Sequence, residues 1–171
     1  MLPPYAELLC ATNFSFLHGA SHPEELVERA QTLGYSALAI TDECSLAGVV
    51  RAHLRARETG LPLLVGAQFS LHEAFGSGSR LVLIAVSRNG YGNLSELITR
   101  ARMRAGKGRY RLLADDLANG LDDCLALLVP SPAIAVDASA DSAAPPTDSP
   151  CAPPVDSPCA QLLRDARFLR E

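Results

Sequence analysis

The side chains able to do chemistry gather in a few short stretches. Thr41-Asp42-Glu43-Cys44 follows an apolar run, Cys10-Ala11-Thr12-Asn13 follows another, and Gly66-Ala67-Gln68 follows a third. A metal-dependent hydrolase places His, Asp and Glu at such points, converging on two or three cations that activate water. Asp42 and Glu43 have the right chemistry to share one cation; alternatively, Asp42 caps the loop and helix that follow it. His18 and His22 read as remnant ligands, or more plainly as a loop contact and a residue on the first turn of a solvated helix. His53 and His72 read as surface or packing residues. Cys10 and Cys44 could pair on a metal, but two buried free thiols are the simpler account. Arg100, Arg102, Arg104, Lys107, Arg109 and Arg111 fall in one stretch with no acid among them. They could touch a nucleic-acid backbone through counterion release, or form a solvated face.

The elements that must position these residues follow from pattern. Residues 5–10 read as a short buried strand. Ser21-His22-Pro23-Glu24 predicts a capping box, with Ser21 as cap, Pro23 in the first turn and Glu24 three residues on. The helix runs to about Leu33, with Leu26, Val27, Ala30 and Leu33 on one face, and Gly34 ends it. Residues 36–40 read as a central parallel strand buried on both faces. A second helix is expected from about Ser45 to Thr59, stopped by Gly60, and Leu61–Gly66 is the next strand. Strand, helix, strand, helix, strand with short connections implies right-handed βαβ units in a parallel sheet or barrel, with function at the C-terminal strand ends. Residues 67–72 and 80–86 then read as a hairpin around the turn Glu73–Ser79. Asn93-Leu94-Ser95-Glu96 reads as a capping box opening a helix to about Arg104, a weaker helix covers 112–118, and 122–129 ends in an apolar strand.

After Pro130 the composition shifts. Residues 131–158 hold Pro, Ala, Ser and Asp, with no Lys, Arg, Tyr or Phe. That is the signature of a disordered, extended linker. Residues 159–171 read as a helix that would continue into a missing segment. The domain reading is therefore 1–130, 131–158 and 159–171.

Bulk composition excludes several classes. The chain has 171 residues, is 48% hydrophobic and 5% aromatic, and lacks Trp, so aliphatic side chains must supply its core. A net charge of -4 argues against a whole-chain polyanion binder. Met1–Tyr5 shows no basic region or apolar run of a secretory signal, and no window approaches a membrane span. The five cysteines form no CxxC pair, which disfavours a zinc ribbon. Their odd, scattered placement suits a reducing cytoplasm.

Four motifs in order carry a resemblance. They are Phe14-Ser15-Phe16-Leu17-His18-Gly19-Ala20-Ser21 with the Pro23–Leu33 helix, Ala37–Gly48, Leu64-Val65-Gly66-Ala67-Gln68-Phe69, and Gly90-Tyr91-Gly92-Asn93-Leu94. Together they resemble the N-terminal PHP domain of bacterial C-family DNA polymerases, and the Asp42–Gly48 and Ser21–Leu26 forms resemble the error-prone, damage-induced branch. The resemblance implies an α/β fold, a partial distorted β/α barrel with parallel strands. It also implies a metal cluster held by a His-x-His pair on the first strand, an Asp-His pair on the second and a Glu after the third. At those positions this sequence has Leu9 and Ala11, Asp42 and Glu43, and Gln68. Leu and Ala cannot ligate, and Gln is a poor neutral ligand. The expectation is a degenerate site with no metal and no catalytic residue in this segment.

The resemblance implies a parent that is a DNA-directed DNA polymerase copying past lesions, with Mg²⁺ in the palm domain of the full-length protein. DNA would be its partner, other translesion or replication proteins are possible, and no membrane is involved. The basic stretch would then face DNA or the polymerase body. The segment itself would be structural and unable to polymerise DNA alone. A stand-alone PHP-type metal-dependent phosphoesterase is the rival reading, and a decayed gene piece without function a third. A half-barrel leaves edge strands and an apolar interior uncovered, so marginal stability is expected.

Overall fold

The computed structural model describes residues 4–71, 79–118 and 121–129. The chain divides into two units, Met1–Ser131 and Pro132–Glu171. The expected linker and terminal helix, with Cys151 and Cys159, lie outside the described residues, as do His72 and most of the expected turn Glu73–Ser79.

Three strands run parallel. They are β1 (Ala6–Glu7), β2 (Ala37–Glu43) and β3 (Leu63–Ser70). Helix α1 (Pro23–Thr32) connects β1 to β2, and α2 (Val49–Thr59) connects β2 to β3. Strand β4 (Arg80–Ala85) turns back antiparallel to β3. Helix α3 (Arg88–Met103) and the short α4 (Ala114–Ala118) follow. Strand β5 (Cys124–Val129) closes the described sheet, antiparallel to β4. The order is β1-β2-β3-β4-β5, leaving β1 and β5 at the edges. This is the expected α/β partial barrel, although only its first three strands are parallel.

The interior position of β2, between β1 and β3, fits its sequence: residues 38–42 are all buried, the run of a strand covered on both faces. All three long helices pack on one face. Leu38 and Ile40 meet Val27, Ala30, Val49, Ala52 and Ala56 of α1 and α2. Ala67, Phe69 and Leu83 meet Leu94, Leu97 and Ala101 of α3. The other face is aliphatic, with Ala39, Val82 and Ile84 at its centre and Leu9, Leu64, Leu127 and Val129 around them. Leu125 and Leu128 of β5 are half exposed.

Several boundaries differ from the sequence reading. The first strand stops at Glu7 because the ladder beyond it is replaced by a side chain: Cys10 N–H donates to Thr41 Oγ1 at 2.9 Å, while Thr41 N–H donates to Cys10 O at 2.8 Å. The α1 cap is displaced by one residue. His22 is the cap, and its N–H donates to Glu25 Oε2 at 2.9 Å. Glu24, expected in that role, instead pairs with Arg51 of α2. Helix α2 begins at Val49 because Ser45 Oγ accepts from Ala47 N–H in a preceding turn. Gly60 ends it in the left-handed region at φ 76°.

Residues expected as two strands, 61–66 and 67–72, form the single strand β3, whose second half pairs with β4. The expected hairpin is thus the end of a long strand and its return. Helix α3 starts at Arg88, and its cap is Ser87, six residues before the expected cap Asn93, accepting from Gly90 N–H at 3.2 Å. Asn93 sits inside the helix and donates from Nδ2 to Asp122 O at 2.8 Å. Gly90 permits that approach: a Cβ there would stand 2.0 Å from Asp123 O.

Candidate functional site

The strand tips bring Asp42 and Glu43 to the end of β2, and the pleat sends them to opposite faces. Asp42 is completely buried. Its Oδ1 accepts from Thr12 N–H at 2.7 Å and from Ser15 Oγ at 2.6 Å, and its Oδ2 accepts from Thr12 Oγ1 at 2.8 Å. Ser15 Oγ in turn accepts from Glu43 N–H at 2.9 Å. A buried carboxylate must find such donors to remain tolerable. Asp42 therefore anchors the loop before α1, some 30 residues upstream, and does not cap the helix after it. Gly48 packs flush on this group, since a Cβ there would lie 2.7 Å from Asp42 Oδ2.

Glu43 stands on the other face, in register with Gln68 of β3. Its Oε1 accepts from Ser70 Oγ at 3.0 Å and from the Tyr110 hydroxyl. That hydroxyl accepts from Ser70 N–H at 2.6 Å, so its one proton is committed to Glu43. Burial, then the Glu43 hydrogen bond, pushes the Tyr110 phenol well above the usual tyrosine range. Gln68 Oε1 accepts from Arg80 Nη1 at 3.2 Å. Glu43, Ser70 and Gly108–Leu112 line a cavity of about 330 Å³.

Leu9 packs into the aliphatic face beside Ala39, Val82 and Ile84, and Ala11 is half-buried just before Thr12. Neither side chain carries a donor atom for a cation. Asp42 and Glu43 diverge, so adjacent positions on β2 do not offer two carboxylates to one ion. Among the described residues no three His, Cys, Asp or Glu side chains come together as a metal-binding group. Cys10 and Cys44 pack in separate clusters, and burial first of all pushes each thiol up to about 11. His22 Nδ1 lies 3.0 Å from Asn13 Nδ2, and His18 and His53 are exposed.

The basic stretch divides. Arg102 reaches from α3 to the tip of β2, donating from Nε to Cys44 O at 2.9 Å and from Nη2 to Glu43 O at 3.4 Å. Cys44 there has φ 45°, a left-handed turn held in place by that guanidinium. Arg104 pairs with the buried Asp116, which also accepts from Leu113 N–H at 3.0 Å. Arg100 pairs with Glu96 one turn earlier. Lys107, Arg109 and Arg111 are exposed.

Sequence reasoning assigned no role to Thr12, Ser15, Ser70, Arg80 or Tyr110, because hydroxyls and one arginine carry no spacing signature and their partners lie 12 to 67 residues away in sequence.

The chain is similar to several known proteins. The PHP domain family matches residues 7–143. The error-prone DNA polymerase of Bordetella parapertussis is 55% identical over 153 residues, covering 84% of this chain and 14% of the polymerase. That of Ralstonia nicotianae is 58% identical over 139 residues, covering 75% of this chain and 13% of its own. The chain thus spans only about one-seventh of the length of these relatives. An amidohydrolase from Chromobacterium violaceum overlaps 57% of this chain and 33% of its own at 23% identity, with a TM-score of 0.49. No helix among the described residues is long and apolar enough to cross a membrane. By the family match over most of its length, this chain belongs to the PHP domain family.

Proposed function

We propose that the chain is the N-terminal PHP segment of an error-prone DNA polymerase serving DNA-damage-induced translesion synthesis and repair, and that the segment is structural, with a degenerate metal site. The single observation behind this is the state of the strand tips. By resemblance, five positions there would hold cations. Two are aliphatic, Leu9 and Ala11, and Gln68 is an amide already bonded to Arg80. Asp42 is sealed by three donors. The residues present do not fit a metal cluster.

In this reading nucleotide addition belongs to a palm domain elsewhere in the parent, where Mg²⁺ would serve the displacement at phosphorus. DNA would be met by the parent in the cytoplasm, together with other replication or translesion proteins. Of the six basic residues, Lys107 and Arg109 are the ones best placed to meet a phosphate backbone, because Arg102 and Arg104 are engaged within the module.

The test uses the purified chain. Metal analysis after exposure to Mn²⁺ or Zn²⁺ is expected to find no stoichiometric ion. Phosphate esters are expected to survive, and primer extension to show no incorporation. In trans, the chain should restore primer extension to a Bordetella parapertussis polymerase lacking its matching N-terminal part. Stoichiometric metal with ester turnover would refute the structural reading in favour of a phosphoesterase.

A further inference from the structure

A metal cluster at strand tips does two jobs: it supplies positive charge and it ties separate strands together. If the ions are gone, the tips still need both. Tips without either would leave buried acceptors unsatisfied and strands free to fray.

Glu43 and Gln68 at these tips both accept from donors of the chain itself. Glu43 of β2 receives hydroxyl protons from Ser70 of β3 and from Tyr110, which lies beyond α3. Gln68 of β3 receives a guanidinium proton from Arg80 of β4. Register places these groups on one face, since Glu43 is opposite Gln68, and Ser70 is opposite Arg80. The Tyr110 hydroxyl also takes Ser70 N–H, so three residues, Glu43, Ser70 and Tyr110, close a triangle. Tyr110 is braced by edge-on contact with Phe69, at 6.2 Å between ring centroids.

We propose that a hydrogen-bond clamp with Glu43 as its hub and Ser70 and Tyr110 as its donors, flanked by the separate Arg80–Gln68 bond, has replaced a cation as the cross-link of the strand tips. This rests on the structural reading above and deepens it by naming what holds the tips instead. The Glu43 carboxylate, at a position where the resemblance expects histidine, is then a working part of the module. Its partner Tyr110 is a positioning residue that no ligand pattern would reveal.

The experiment is a double-mutant cycle on the full chain, read as thermal midpoints, with Glu43→Ala, Tyr110→Phe and the double variant. Each variant is measured with EDTA, with Mn²⁺ and with Zn²⁺. Each single change is expected to lower the midpoint by roughly 3–8 °C. The double variant should fall little further than the worse single, because both remove one interaction. EDTA and either metal should leave the wild-type midpoint unmoved. Additive losses would overturn the clamp while leaving the structural reading intact. A rise in the wild-type midpoint at stoichiometric metal would overturn the structural reading, and the clamp with it. Should Glu43→Ala fail to fold, Ser70→Ala with Tyr110→Phe forms a second cycle on the same oxygen, where additivity again overturns the proposal.

Discussion

Ser15 and Asp42, 27 residues apart, meet in a 2.6 Å hydrogen bond with no solvent at either end. Ser15 passes the connection on to Glu43 N–H, so one hydroxyl ties the loop before α1 to both carboxylate positions of β2. Hydrogen bonds to a buried charge contribute about 1.5–3 kcal/mol each. Ser15→Ala should therefore lower the unfolding free energy by about 2 kcal/mol. Asp42→Ala, which orphans Thr12 N–H and both hydroxyls, should cost about 3–5 kcal/mol, since each buried donor left unsatisfied costs about 1–3 kcal/mol. Urea unfolding checks the size, and faster amide exchange at Thr12 checks the place.

Two glycines on one helix should respond in opposite directions. Gly90 and Gly92 both lie in α3. A Cβ at Gly90 would press to 2.0 Å from Asp123 O, whereas one at Gly92 meets nothing within 4 Å. Gly92→Ala should raise stability by about 0.5–1 kcal/mol, since alanine loses less backbone freedom in a helix. Gly90→Ala should lower it by more than that gain. Thermal midpoints of the two variants moving the same way would contradict the packing described at the α3–β5 connection.

The acid limb of stability should depend on Asp116. The Arg104 hydrogen bond, first of all, holds this carboxyl below its usual range, and Leu113 N–H adds to it. A carboxylate with a depressed folded value stabilises above its unfolded value, near ~3.9, and that stability is lost as pH falls through the folded value. Asp116→Asn should therefore flatten the stability profile below about pH 4 relative to wild type. Chemical unfolding across acid pH gives the two slopes.

The alkaline limb should carry the cysteines. Burial raises Cys10 and Cys44 to about 11. Groups with raised folded values contribute stability that is whole below their unfolded value, ~8.5, and lost as pH rises toward the folded one. At neutral pH neither thiol is a ready nucleophile. Alkylation followed by peptide mass mapping should find Cys10 and Cys44 unmodified in the native chain and labelled in denaturant.

How far the sequence led depends on the kind of interaction. The β2 run and the α1 face were legible because aliphatic periodicity reports burial directly. The resemblance identified the tips, and Leu9, Ala11 and Gln68 were readable as poor ligands from side-chain chemistry alone. The cap of α1 slipped by one residue because Glu24 and Glu25 offer the same chemistry at adjacent positions, and Arg51 decides between them. The start of α3 was missed because Asn93-Leu94-Ser95-Glu96 has the spacing of a capping box inside the helix, while Ser87 is the cap. Asp42 was placed correctly at a strand tip, but its direction was not readable: its donors lie upstream, and hydroxyls contribute no period. The six basic residues looked equivalent in sequence, whereas Arg102 and Arg104 are bound to Cys44 O and Asp116 across the fold.

The two carboxylates at the end of β2 also differ in when they can be satisfied. Asp42 finds every partner among residues 12–15, already synthesised before it. Glu43 waits for Ser70 and then for Tyr110, 67 residues later, and the turn at Cys44 waits for Arg102. On a ribosome emitting roughly 5–20 residues each second, that is a delay of several seconds. During it, one side of a single peptide bond is finished while the other is still open to whatever else the nascent chain meets.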